Sequence, residues 1–269
     1  MSPAEGQPGQ QIPIGTVPNF RDLGGWSTPT GRVRSGMLFR SAEFANLAGD
    51  DLTAFDRFGI RSVYDLRTAD ERAANPNTLP DGVEYVVLDI LADATGAGPA
   101  QVLQALADAD TAKETLGDGK AVAMFEQAYR QIVSLPSALA GYKQFFLDVA
   151  DSGHRPAVFH CTTGKDRTGW AAIAFLSLLG VSKDDIRKDY LLTNDQLLPS
   201  LKPFLDQIAA KGIDTSLLQP VVGVQGEYFD AALDEMTKRY GTIEGYFTDG
   251  LGLDEATMAT IRSDYTEKA

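Results

Sequence analysis

The stretch from 157 to 169 constrains this chain more than any other. An apolar run, Ala157-Val158-Phe159-His160, passes into a polar segment, Cys161-Thr162-Thr163-Gly164-Lys165-Asp166-Arg167, and then into residues 170–179, which are apolar almost all round. A run so short and so rich in Val and Phe reads as a buried strand. A helix without a polar face has to lie between a sheet and other helices. Such a strand–loop–helix unit belongs to an α/β domain, and its loop can curl its amides inward around an anion while the helix adds the positive end of its dipole.

Short apolar runs at 37–40, 62–66 and 85–90 read as further strands, bounded by Gly, Pro or charged turns. Helical periods fill the space between: 50–58, then a continuous helical stretch over 99–149. In that stretch Val102, Leu103, Leu106 and Ala107 form one stripe and Phe125, Tyr129, Ile132 and Val133 another. After the strand at 157–160 only helices follow, at 168–179, 183–192, 196–210, 226–240 and 254–265. Ser182 and Asp254 stand where N-caps belong. The expected fold is α/β, a single domain over 18–269 with a mainly parallel central sheet flanked by helices and a helical C-terminal half. Residues 1–17, rich in Pro, Gly and Gln, read as a loose tail.

The chain of 269 residues is 43% hydrophobic and 23% charged, so it can bury a sizeable core. Its net charge of −13 argues against nucleic-acid binding, and it means that any anion site has to be built locally from amides and a few placed cations. One cysteine and two histidines are too few for a structural zinc site, and a lone cysteine forms no internal disulfide. No segment reads as a secretory signal or a bilayer span, so the expected setting is cytoplasmic, or exported without a recognisable signal peptide.

A lone cysteine is more often a buried filler than a nucleophile. Cys161, at the floor of an amide cradle and six positions before an arginine, has a reason to be ionised and reactive. Arg167 offers a planar fork that fits two phosphate oxygens. Thr162, Thr163, Gly164, Lys165 and Thr168 complete the phosphate-binding loop, with the Thr168 hydroxyl free to donate toward the sulfur. In-line attack by Cys161 on a phosphate monoester would give a cysteinyl-phosphate, which water then hydrolyses. By charge alone Lys165 supplies a second cation for a multiply phosphorylated ligand, and Asp166 holds a proton or orients water; alternatively the two simply pair on the loop. Asp89 and Asp93, after the strand at 85–90, are alternative acids or mere strand-end caps. His160 reads as a brace for the loop, and Arg21, Asp22, Arg40 and Arg67 as charged residues bracing one another beneath it.

The pattern His-Cys-x5-Arg-Thr-Gly resembles the signature of the cysteine-dependent protein tyrosine phosphatase superfamily. HCTTGKDRTG, residues 160–169, is most similar to the atypical bacterial tyrosine and lipid phosphatases typified by mycobacterial protein tyrosine phosphatase B. Asn19-Phe20-Arg21-Asp22-Leu23-Gly24-Gly25, Leu38-Phe39-Arg40-Ser41, Asp65-Leu66-Arg67, Asp189-Tyr190 and Asn194-Asp195 extend the likeness over nearly the whole chain. The resemblance implies metal-independent hydrolysis with no cofactor, acting on phosphotyrosine, phosphoserine or phosphothreonine proteins or on phosphoinositides. It links Lys165 to inositol phosphate recognition, Asp166 to catalysis, and a carboxylate near Asp89 or Asp93 to acid catalysis, although the proline spacing there departs from the family's. It also implies a helical lid at about 196–224; the stripe Leu198, Leu201, Phe204, Leu205 and Ile208 fits equally a helix packed permanently on the core. Two rival readings are a catalytically silent phosphate-binding module and a sulfurtransferase.

Overall fold

A computed structural model describes residues 7–95 and 108–268. In chain order it runs through strand β1 (Arg21–Asp22), a hairpin of β2 (Ser27–Thr28) and β3 (Gly31–Val33), strand β4 (Leu38–Ser41), helix α1 (Gly49–Asp56), strand β5 (Ser62–Asp65), helix α2 (Ala69–Ala74) and strand β6 (Glu84–Val87). Helices α3 (Ala109–Leu116), α4 (Lys120–Ser134) and α5 (Pro136–Ala150) lead to strand β7 (Ala157–His160). Helices α6 (Arg167–Leu178), α7 (Lys183–Ala210), α8 (Gly226–Tyr240) and α9 (Glu255–Tyr265) follow, then strand β8 (Thr266–Glu267), which pairs with β3.

The main sheet has the order β1-β4-β7-β5-β6. Its last four strands are parallel, with β1 antiparallel on β4. A parallel sheet has to be covered on both faces, and the alternation along the strands meets that need. Ala157 and Phe159 join Leu38 and Tyr64 in the large cluster formed with the helices. Val158 joins Phe39 and Val63 in a second cluster with Phe20, Phe44 and Phe55. Helix α6 is buried from Arg167 through Leu176, as its all-round apolar sequence requires. The loop between β7 and α6 thus lies at the C-terminal ends of parallel strands, where open α/β sheets bind ligands.

Three expectations change. Residues 9–17 are not a loose tail: Ile14 and Val17 are buried in the second cluster, Gln11 bridges to Arg21, and the Gly9 carbonyl accepts from Gln196 Nε2 at 2.7 Å. The few apolar residues in that stretch suffice to dock it. The helices expected at 183–192 and 196–210 are one helix, α7, with Pro199 and Pro203 inside it. Each proline lacks an N–H, so the carbonyls of Asp195 and Pro199 lose their partners. Positions 195, 199 and 203 are all exposed, and water can serve those carbonyls. Lastly, strands β1, β2, β3 and β8 are only two or three residues long and carry no readable alternation. The stripe of Val102, Leu103, Leu106 and Ala107 lies outside the described residues. Among the described residues no helix is long and apolar enough to cross a membrane.

Candidate active site

Every carbonyl along the first half of the loop is held from outside. His160 Nδ1 lies 3.0 Å from the Cys161 carbonyl, Glu43 N donates to Thr162 O at 3.2 Å, and Asn19 Nδ2 donates to Thr163 O and Gly164 O at 3.3 and 3.0 Å. Arg40 Nη2 adds a second donor to Gly164 O at 2.8 Å. In a planar trans peptide the N–H points opposite to the C=O. Fixing these carbonyls outward therefore turns the N–H groups of residues 162–165 to the loop's inner side. Among the described residues no acceptor takes the N–H groups of residues 162–167. A row of unpaired amides at a helix N-terminus is an anion-binding nest. Gly164 makes the turn possible: its φ is +69°, and a Cβ there would come within 2.2 Å of Ser41 O.

Cys161 is buried at the base of this loop. The Arg167 guanidinium lies within electrostatic reach of the Cys161 side chain. The hydroxyl of Thr168, in the first turn of α6, is buried without a protein partner.

Arg167 is itself aligned by a residue that the sequence reading did not single out. Its Nη1 and Nη2 donate to the two carboxylate oxygens of Glu71 at 2.6 and 2.7 Å, and Nη1 also reaches Leu66 O at 3.3 Å. Of the five guanidinium N–H groups these bonds use three. The Nε–H and the second Nη2–H remain, and they form the parallel side-on fork that binds two oxygens of one phosphoryl group. Burial opposes charge on Glu71, yet the Arg167 bonds, with Thr162 and Thr68, hold its carboxyl well below the usual carboxylate range. Burial likewise opposes the guanidinium, but Glu71 and then the Cys161 sulfur keep it firmly charged.

Glu71 sits at the third position of α2, where its side chain closes a capping box with Thr68. The Thr-x-x-Glu spacing signals that helix start in the sequence; its reach to a loop more than ninety residues on does not show there. Glu71→Gln keeps the capping box but removes the charge. We expect kcat/KM to fall about 10- to 100-fold through misalignment of Arg167, and the melting temperature to fall as well because the buried guanidinium loses its charged partner, as steady-state kinetics and thermal unfolding would record.

The predicted acids divide. Asp166 is at the loop, its Oδ1 accepting from Tyr129 Oη at 2.9 Å and from Lys165 Nζ at 3.1 Å. Lys165 also donates to Gly223 O at 3.2 Å, lies 4.2 Å from the Phe125 ring centroid, and is buried. It thus faces the 196–224 stretch rather than standing free as a second cation. Asp93 is taken up elsewhere: its carboxylate accepts from the Ser137 amide at 3.0 Å and from the Ser137 hydroxyl in the first turn of α5, bonds that hold it below its ordinary range. Asp89 accepts from the Leu91 amide at 3.1 Å in a local turn. Asp89 thus sits in a turn just past β6, close to its alternative reading as a strand-end cap, whereas Asp93 caps the start of helix α5.

The sequence model of the tyrosine phosphatase family matches residues 12–267. The chain belongs to that family. A triple specificity protein phosphatase, PtpB, of Mycobacterium tuberculosis is 31% identical over 268 residues, covering 91% of this chain and 95% of the relative. A tyrosine-protein phosphatase of Nostoc commune is 28% identical over 231 residues, covering 83% of this chain and 72% of the relative. The mainly parallel sheet flanked by helices and the loop after its central strand agree with this assignment, and the chain is a phosphoric monoester hydrolase.

In this tyrosine phosphatase the loop rests on separate polar networks. Arg21 and Arg40 do not brace each other; both converge on Asp189 of α7, through Arg21 Nε at 3.0 Å and Arg40 Nη1 at 2.9 Å. All three are buried, and losing one member of such a group costs about 3–5 kcal/mol because the others keep their charge without a partner. Arg67 belongs to another cluster, with Asp65 and Glu43. Asp22 stands apart, accepting from the Gly24 and Gly36 amides at 2.8 and 2.6 Å. Arg21 and Asp22 are successive residues of β1 and so point to opposite sides, Arg40 lies on β4 and Arg67 follows β5, so the four do not meet as one group. His160 is a brace, as expected: burial pushes its imidazole down to about 4, so the ring is neutral near pH 7. Its Nδ1 must donate to the Cys161 carbonyl, and its Nε2 accepts from Asn77 Nδ2 at 2.9 Å.

Proposed function

We propose that this phosphatase hydrolyses phosphotyrosine-type monoesters through a cysteinyl-phosphate on Cys161. The sulfur attacks phosphorus in line; as the S–P bond forms, the P–O bond to the leaving group breaks and Asp166 gives a proton to the departing oxygen. Water then attacks phosphorus, Asp166 takes up a proton, and the S–P bond breaks to release inorganic phosphate and restore Cys161. The loop amides and the free Nε–Nη2 fork of Arg167 hold the equatorial oxygens through both steps. Thr168, its hydroxyl unpaired, serves the sulfur as it leaves. The stretch 196–224, tied to the loop through Lys165 and Gly223, is the cover of the site in this reading.

The observation that carries the proposal is the row of unpaired amides closed by a guanidinium whose side-on fork is unused. A silent binding module would need the same cradle, but Cys161 and Asp166 together favour turnover; a sulfurtransferase would instead leave a trappable persulfide on Cys161. For substrates, the inward set of Lys165 and the net charge of −13 favour phosphotyrosine in proteins over densely anionic phosphoinositides. The Mycobacterium relative's triple specificity supports slower action on the other classes. The test is a panel of phosphotyrosine, phosphoserine and phosphothreonine peptides and short-chain phosphoinositides in the presence of a chelator. Phosphotyrosine peptides are expected to show the highest kcat/KM, undiminished by the chelator. Faster turnover of phosphoinositides would overturn the substrate order, and loss of activity with the chelator the metal-free mechanism.

A further inference from the structure

We propose that Tyr129 is a positioning residue for Asp166, backed by Tyr190, and that the pair confines the proton Asp166 carries to its Oδ2 atom. The proposal rests on the reading of Asp166 as the proton carrier. Tyr129 comes from α4, Tyr190 from α7 and Asp166 from the turn that starts α6, so three elements meet at this point.

The hydroxyl of Tyr190 donates to that of Tyr129 at 2.7 Å, and Tyr129 donates to Asp166 Oδ1 at 2.9 Å. The direction of this chain is forced. A carboxylate oxygen accepts, so the single proton of Tyr129 goes to Asp166, and the lone pairs of Tyr129 are left for the proton of Tyr190. Both rings are fully buried, and burial first, then the charge of Asp166, raises both phenols well above their ordinary range. Both hydroxyls therefore keep their protons and remain donors at any working pH. Gly169 lets Tyr190 reach this position: a Cβ on Gly169 would sit 3.3 Å from the Tyr190 ring.

Lys165 Nζ adds a second donor to the same Oδ1 at 3.1 Å. With two donors pointed at it, Oδ1 has no room for a proton of its own. Among the described residues Oδ2 has no protein donor, and the Asp166 side chain is 21% exposed. The proton exchanged with leaving group or water therefore sits on Oδ2. Tyr129 fixes where that atom points, while touching neither substrate nor the reacting atoms.

The test compares kcat/KM for phenyl phosphate, a poor leaving group that needs a proton, with that for p-nitrophenyl phosphate, a good one that hardly does. In Tyr129→Phe, kcat/KM for phenyl phosphate should fall about 10-fold or more, a share of the 10²–10⁴ that acid catalysis supplies. The value for p-nitrophenyl phosphate should change little, and KM should stay put for both. Asp166→Asn should show the same leaving-group selectivity, and the double variant should lose no more than Asp166→Asn alone. Equal losses on both substrates in Tyr129→Phe, or multiplying losses in the double variant, would overturn the positioning role while leaving Asp166 in place. An Asp166→Asn variant without leaving-group selectivity would overturn the reading of Asp166, and the Tyr129 proposal with it. Tyr190→Phe removes only the outer donor and leaves Tyr129 its proton, so a smaller loss of the same selectivity is expected. Should Tyr129→Phe fail to fold, Tyr190→Phe decides: a selective loss supports the proposal, and wild-type selectivity overturns it.

Discussion

Cys161→Ser is expected to lower kcat about ten-thousand-fold or more, the scale on which removal of a catalytic nucleophile acts. The side chain keeps nearly the same volume, and the loop is held by His160, Asn19, Arg40 and Glu43 through backbone carbonyls that the substitution does not touch. The fold and the anion cradle should therefore survive. What is lost is the sulfur nucleophile of the proposed mechanism: a serine hydroxyl is weakly nucleophilic near neutral pH unless a base activates it. The neighbouring His160 cannot be that base, because it spends both ring nitrogens on the Cys161 carbonyl and Asn77. The variant should still bind inorganic phosphate, as calorimetry would record, while releasing almost none from a phosphotyrosine peptide. Residual turnover close to wild type would mean that another group attacks phosphorus.

Arg167→Lys carries the second large effect. Charge is conserved but geometry is not. A lysine cannot hold both Glu71 oxygens and still present a two-pronged fork to the phosphoryl group, since its ammonium acts as a single point. Glu71 would then lose one of its two bonds and bring an incompletely balanced negative charge toward an anionic substrate. Loss of an arginine that stabilises phosphoryl transfer costs on the order of 10³ in kcat. Steady-state kinetics on the phosphotyrosine peptide should show a loss of that size, mostly in kcat with a rise in KM, because the fork binds the ground state and binds the transition state more tightly still. A loss of only a few-fold would show that the loop amides alone hold the transferring group.

Both predictions concern residues visible in the sequence, and the reason is local. From β7 to the first turn of α6 the site is continuous chain, and its period changes where the structure changes, so Cys161, Gly164 and Arg167 could be placed in order along the loop. The central sheet was legible for a related reason: β4, β5 and β7 are buried at every position and carry short apolar runs, although the edge strand β6 is largely exposed. What escaped depends on distance. Glu71 and Asn77 reach the loop from the far side of β5, and nothing in a Thr-x-x-Glu or an Asn-Pro-Asn run says what the side chains will meet. Tyr129 looked like one more member of a core stripe because its ring is one; only its hydroxyl, at the edge of that core, meets Asp166. Helix α7 was divided at 193–195, where Thr-Asn-Asp is a run of poor helix formers that the structure carries through unbroken. The Pro- and Gly-rich start of the chain misled for the opposite reason, since Ile14 and Val17 were enough to dock it.

The most direct measurement is rapid acid quench of the enzyme turning over a phosphotyrosine peptide, followed by mass spectrometry of its proteolytic fragments. One added phosphoryl group on the fragment containing Cys161, absent from Cys161→Ser treated in the same way, is the predicted result. A phosphoryl group on any other residue, or none on an enzyme shown to be turning over, would contradict the account.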